Sequence, residues 1–225
     1  MSVVKNLERI QQRIERACVK GNRNPEDITF IAVTKYATLE KTKEILEAGI
    51  HHLGENRDQE FLRKYGHYGE EATWHFIGTL QTRKVKNVID HIDYLHSLDR
   101  MSLAEEIQKR AKRTIRAFVQ VNVSGEETKH GLEIEQVLPF IENLQPLHKI
   151  HVIGLMTMAP NTRDETVLRN SFRRLKTLQQ QIQALHLPFA SCQHLSMGMS
   201  NDFEIAIEEG ATMIRIGTAL ISDRG

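Results

Sequence analysis

ITFIAVTK, residues 28–35, is short, rich in β-branched side chains, and bounded by Pro25 before it and a polar turn after it. That pattern predicts a buried strand. Upstream, Val3, Leu7, Ile10, Ile14 and Ala17 or Cys18 recur at helical spacing over residues 3–19, and Gly21 follows as the stop of an amphipathic N-terminal helix. Downstream, the same alternation repeats. Strand-like pieces are HLGEN (52–56), TWHFIG (73–78), YLHSLD (94–99), RAFVQVNVS (116–124), HVIGLMTM (151–158), HLSMGM (194–199) and MIRIGT (213–218), with helix-patterned segments between them. Strict β/α alternation means a parallel sheet, because parallel neighbours need a crossover and a helix fills it. Eight such units in 225 residues predict a single (β/α)8 TIM barrel, an α/β fold of about 250 residues, with an extra N-terminal helix. An open doubly wound sheet would hold fewer strands. No Pro/Gly/Ser-rich linker divides the chain.

Composition narrows the function classes. Forty per cent of residues are hydrophobic, enough for a core. Thirty basic residues balance 29 acidic ones, so no broad field for nucleic acid or membrane is expected. Two cysteines, Cys18 and Cys192, make neither a disulfide framework nor a zinc motif. The N-terminal segment lacks the apolar core of a signal peptide, and no apolar run reaches the length of a membrane span. A cytoplasmic protein of a reducing compartment, most simply a monomer, is the expectation.

Active groups of a parallel barrel sit where strands end and βα loops begin. Lys35 closes an apolar run, and strand alternation sets it on one face with Ile31 and Val33. If that face points inward, the amine sits partly desolvated in the barrel mouth, available to attack a carbonyl; the competing reading is a lysine that snorkels to solvent. In MIRIGT, Ile214 and Ile216 suit the helix-facing layer, which sends Arg215 inward, where it needs either a ligand or a carboxylate such as Glu55 or Asp99. The loops after strands seven and eight, where barrels often bind phosphate, offer Ser200, Gly217 and Thr218, and Asn201 with Glu204 reads as a capping box. An imine-forming lysine, an inward arginine and a phosphate cradle fit pyridoxal 5′-phosphate (PLP). Lys35 would hold the aldehyde as a Schiff base and Arg215 would face the ring nitrogen. Ser200, Gly217 and Thr218 would take the phosphate, and Asn56, ending strand two, would touch the ring edge. No metal site is read: the His51-His52 and His148/His151 pairs lack a third ligand.

AVTK around Lys35, HLGENR around Asn56, WHFIGTLQTRK at 74–84, SLD at 97–99, VNVSGEETKHGL at 121–132, GLMTMAP at 154–160, LSMGMSND at 195–202 and RIGTALI at 215–221 span nearly the whole chain in order. With these the sequence resembles the YggS/PROSC-type pyridoxal phosphate homeostasis proteins, whose fold is similar to the N-terminal barrel of alanine racemase. The resemblance implies PLP on Lys35 and a role in intracellular vitamin B6 balance without established turnover. Residues 1–225 would form one PLP-binding barrel domain, with PLP-dependent apo-enzymes as recipients. The chain stops soon after Thr218, so a closing C-terminal helix is short or absent.

An arginine at the ring nitrogen disfavours the pyridinium that strong electron withdrawal requires. Aminotransfer is therefore not expected, and no catalytic residue is assigned. A single-domain amino-acid racemase is the alternative; it needs a second base, for which Tyr36, His75 and His194 are candidates. A sugar-phosphate aldolase or isomerase using Lys35 leaves Arg215 without a job. His75 and Trp74 otherwise read as barrel packing, and His51 and His52 as surface residues.

Overall fold

The computed structural model describes residues 2–126 and 130–222. Glu127, Thr128 and Lys129 of the 121–132 stretch lie outside the described residues. Eight parallel strands close into a barrel in sequence order: β1 (Thr29–Val33), β2 (His52–Glu55), β3 (Thr73–Phe76), β4 (Tyr94–Leu98), β5 (Ile115–Gln120), β6 (Ile150–Met156), β7 (His194–Ser196) and β8 (Met213–Ile216). β1 pairs β8 with Ile31 opposite Arg215, which completes the ring. The helices are α1 (Val3–Gly21), α2 (Leu39–Glu47), α3 (Asp58–Tyr68), α4 (Val85–Val88), α5 (Met101–Arg110), α6 (Ile134–Asn143), α7 (Glu165–Gln183), α8 (Phe203–Glu208) and α9 (Thr218–Ile221). No helix among the described residues is long and apolar enough to cross a membrane.

The α/β barrel and its extra N-terminal helix are as expected. Several boundaries are not. β1 ends at Val33, two residues before Lys35, because Thr34 starts a turn whose carbonyl accepts from the Ala37 amide at 2.8 Å. α1 runs through Gly21, and the left-handed cap is Asn22 (φ 50°), whose amide donates to the Cys18 and Val19 carbonyls. The closing helix α9 is short, as expected, at four residues.

Alternation along the strands builds two apolar layers. Outward residues such as Ala32, Leu53, Trp74, Leu95, Ile214 and Ile216 pack with the helices in one large core. Ile31, Phe118, Ile153, Met156 and Met213 form a second cluster within the barrel. α1 seals the junction of the first and last units. Its buried Asn6 amide donates to the Leu220 and Ser222 carbonyls at 2.9 and 3.1 Å, and Arg13 pairs with Glu204 at 2.8 Å. This ties the start of the chain to α8 and to the end of α9, the helices that follow β7 and β8.

Gly154 on β6 sits opposite His194 on β7. A Cβ built there would lie 2.0 Å from the His194 carbonyl oxygen and 2.8 Å from the Phe118 ring, so the strands approach more closely than any side chain permits. Gly154→Ala is expected to cost about 3 kcal/mol or more and to lower Tm by about 10 °C at this chain length. A differential scanning calorimetry trace matching the parent would contradict that close approach.

Candidate functional site

A cavity of about 460 Å³ opens at the mouth, where the loops after β1, β6, β7 and β8 meet. Lys35, Ser200, Arg215, Gly217 and Thr218 all line it, with Tyr36, Asn161, Thr162 and Asp202 among their neighbours. Asn56 does not. It lines a separate cavity of about 270 Å³ with Arg57, Phe76, Thr79, Gln81 and Lys84, on the side of β2 and β3.

Lys35 is half-buried, and its Nζ lies 5.0 Å from the centre of the exposed Tyr36 ring. Its position is fixed from behind. Alternation turns Glu55 of β2 away from the barrel axis, into the layer between strand and α3. There the Lys64 ammonium, with no exposed surface, donates to Glu55 Oε1 at 2.6 Å and to the Thr34 carbonyl at 2.5 Å. The Thr34 hydroxyl donates to the same Glu55 oxygen at 2.5 Å. The residue preceding Lys35 is thus clamped by a buried ion pair. Glu55 is therefore not the partner of Arg215, and Asp99 is not either, since it pairs with Arg100 at 2.6 Å.

Arg215 forms the floor of the mouth. It is 4 % exposed, and its guanidinium donates to Ser196 Oγ at 2.6 Å and to the Thr157 carbonyl at 2.8 Å. Burial pushes its pKa down to about 10, against a smaller raising effect of Asp202. It remains a cation at neutral pH, held by neutral acceptors, with donors left over for a ligand. Asp202 went unrecognised in the sequence. It is the N-cap position of α8, but its Oδ1 accepts from the Met199 amide at 2.5 Å, and burial raises its carboxyl above the ordinary range despite Arg215. The expected Asn201/Glu204 capping box does not form; Glu204 is engaged by Arg13 instead. Ser200 Oγ accepts from the Ala219 amide at 3.4 Å, linking the two candidate phosphate loops. Gly198 makes this turn possible. Its φ is 92°, a Cβ would lie 2.6 Å from that of Ala206, and its carbonyl accepts from the Arg215 amide at 3.0 Å.

Beneath Arg215 a chain of side chains crosses the barrel. His96 Nδ1 lies 2.8 Å from Ser196 Oγ, His96 Nε2 lies 2.9 Å from His75 Nδ1, and His75 Nε2 lies 2.9 Å from His52 Nδ1. His75 stacks on Tyr94 and His96 on Phe118. Burial first, and then neighbouring positive groups, hold His75 and His96 well below the ordinary histidine range. Neither His75 nor His194 lines the mouth cavity, so neither can act as a second base there; Tyr36 does line it. His52 is half-buried and bonded inward, not a surface residue. The signal for these rings was legible: in TWHF the aromatics Trp74 and Phe76 claim the outer face, which sends His75 inward.

A profile described as the alanine racemase N-terminal domain matches residues 3–224. The chain belongs to that family. A protein of Aquifex aeolicus called a pyridoxal phosphate homeostasis protein is 42% identical over 228 residues, covering 100% of this chain and 99% of its own. Among solved structures, an unknown protein from Bifidobacterium adolescentis superposes with a TM-score of 0.91 at 32% identity, covering 97% of this chain and 94% of its own. PipY of Synechococcus elongatus, solved with PLP bound, gives 0.83 at 27% identity, with 98% and 100% covered.

Two outcomes follow from this geometry. Lys64→Met leaves a buried carboxylate unpaired and is expected to cost about 3–5 kcal/mol, with much of the loss recovered by adding Glu55→Leu; urea unfolding of the four proteins of the cycle measures it. The buried histidines make stability fall with acid. In the unfolded chain each ring takes a proton near its ordinary pKa of about 6.5, while the folded form resists it. Stability is therefore flat above about pH 6.5 and falls below it by about 1.4 kcal/mol per ring per pH unit. Urea midpoints recorded from about pH 7.5 to about pH 5 check the slope, which His96→Phe should reduce.

Proposed function

We propose that this protein binds PLP in the mouth cavity and serves intracellular vitamin B6 homeostasis, storing or delivering the cofactor rather than turning over a substrate. The observation that carries the reading is the convergence of Lys35, Arg215, Ser200, Gly217 and Thr218 on one cavity. The donor set suits the group: a primary amine for the aldehyde, a cation for the ring nitrogen, and hydroxyls with backbone amides for the phosphate. Lys35 would hold the aldehyde as a Schiff base, releasing one water. The full-length kinship with PLP homeostasis proteins and the PLP carried by PipY support the same assignment. Asn56, lining the neighbouring cavity, does not enter the proposal.

PLP supplies electron withdrawal when its ring is protonated, and Arg215 opposes that protonation, because two positive charges would meet. The neutral acceptors around Arg215 cannot take up its charge to relieve this. The site is thereby a grip with weak catalytic pull. We place the protein in the cytoplasm, as a monomer whose recipients are PLP-dependent apo-enzymes. Tyr36, the phenol beside Lys35, is the observation that favours a second reading, a single-domain amino-acid racemase. Deuterium exchange at Cα of single amino-acid enantiomers would establish that activity.

The purified protein is expected to be yellow, and borohydride to fix one PLP mass on Lys35 by peptide mapping. Lys35→Ala should abolish the covalent label yet keep weak binding through the phosphate contacts. A colourless protein that added PLP does not tint, or a label on another lysine, defeats the assignment.

A further inference from the structure

One arrangement of protons under Arg215 gives every donor in the line an acceptor. A guanidinium can donate and cannot accept, so Ser196 Oγ accepts from it. The Ser196 hydroxyl has one proton, and its remaining partner is His96 Nδ1 at 2.8 Å. The reverse arrangement, with Ser196 Oγ accepting from both Arg215 and His96 Nδ1–H, leaves the buried hydroxyl proton without an acceptor among the described residues; we therefore give that proton to Nδ1, and the His96 ring carries its own on Nε2. His96 Nε2–H then donates to His75 Nδ1 at 2.9 Å, which puts the His75 proton on Nε2, and this in turn donates to His52 Nδ1 at 2.9 Å. Each bond points the same way, from the mouth toward the N-terminal face of the barrel.

We infer that Ser196, His96, His75 and His52 form a one-way hydrogen-bond wire that positions the Arg215 guanidinium, with all three imidazoles neutral and protonated on Nε2. The shear of the barrel makes this possible. His52 begins β2, His75 and His96 are third residues of β3 and β4, and Ser196 ends β7, so the line climbs from one face to the other. At its lower end His52 lines a cavity of about 500 Å³ with Gln11, Glu15, Glu26 and His51, where the wire meets water. The charges facing the wire are Arg215 and Asp202 at the top, Arg116 along its side, and Asp93 and His51 near its foot.

The direction has a consequence. Reversing one ring, or adding a proton to it, sets two donors or two acceptors face to face within 2.9 Å. That ring-to-ring bond is then lost, and when the change reaches His96 its Nδ1 becomes a donor, so Ser196 no longer gives up its own proton there while it accepts from Arg215. Acid that enters the wire thereby loosens the guanidinium. These residues touch no ligand; they act through Arg215. Their effect on PLP rests on the function proposed above, whereas the proton arrangement does not.

The test uses the full chain, labelled with 15N-histidine and free of added PLP. Long-range 1H–15N correlation spectra at neutral pH, assigned with single substitutions, should show the Nε2–H pattern for His52, His75 and His96. The ring protons of His75 and His96 should exchange slowly. An Nδ1–H or doubly protonated pattern at His75 or His96 overturns the inference. Ser196→Ala should shift His96 to a mixture of tautomers, weaken PLP binding about tenfold and move the pH profile of the bound chromophore. Ser196→Thr, which keeps the hydroxyl, should restore all three. If Ser196→Ala moves neither the His96 signals nor PLP affinity, the wire does not reach Arg215 and the inference falls. If the parent fails to bind PLP, the proposed function falls, and the tautomer pattern still decides the wire.

Discussion

A buried guanidinium whose hydrogen-bond acceptors among the described residues are neutral, with Asp202 acting on it through space alone, constrains this molecule more than any other group. Arg215 cannot shed its proton at neutral pH and has almost no contact with water, so every donor it carries needs an acceptor. The Thr157 carbonyl and Ser196 hydroxyl provide two, and Ser196 hands the polarity on to the histidines below. An inward carboxylate would have neutralised the charge. Neutral acceptors instead leave a cation at the floor of the cavity, the property an anionic, electron-rich ligand would use.

Closure of the barrel brings the other groups to that cation. Lys35 follows β1 and Arg215 lies on β8, nearly the full length of the chain apart in sequence, and the β1–β8 pairing makes their strands neighbours. The loops after β7 and β8 are drawn together by the Ser200 to Ala219 contact, and the helices that follow them are tied to α1 through Asn6 and Arg13. Behind Lys35, the Lys64–Glu55 pair holds the Thr34 carbonyl. A buried pair of this kind adds little net stability over an apolar substitute. Its directional hydrogen bonds do fix the strand end from which Lys35 departs.

The rhythm of strands and helices was legible in the sequence, as were the inward turn of Arg215 and the grouping of Lys35, Ser200, Gly217 and Thr218. Each rests on local periodicity: in MIRIGT the two isoleucines claim the outer layer and leave Arg215 the inner one. The same rule, applied to HLGE, turns Glu55 outward and removes it as a partner of Arg215, and applied to TWHF it buries His75. What alternation does not carry is the offset between neighbouring strands. Asn56 follows β2, which pairs with β1 on one side, yet it lines the cavity toward β3.

Periodicity, composition and the position of strand ends thus determined the architecture and which side chains face the barrel axis, because these follow from the two-residue repeat of a strand and the need to bury apolar surface. Only the tertiary structure decided what those inward groups meet. Register and shear set which of them come within hydrogen-bonding distance across the barrel, and those are properties of the closed ring rather than of any one segment. The line from Arg215 to His52 draws on β8, β7, β4, β3 and β2, and no stretch of sequence contains it.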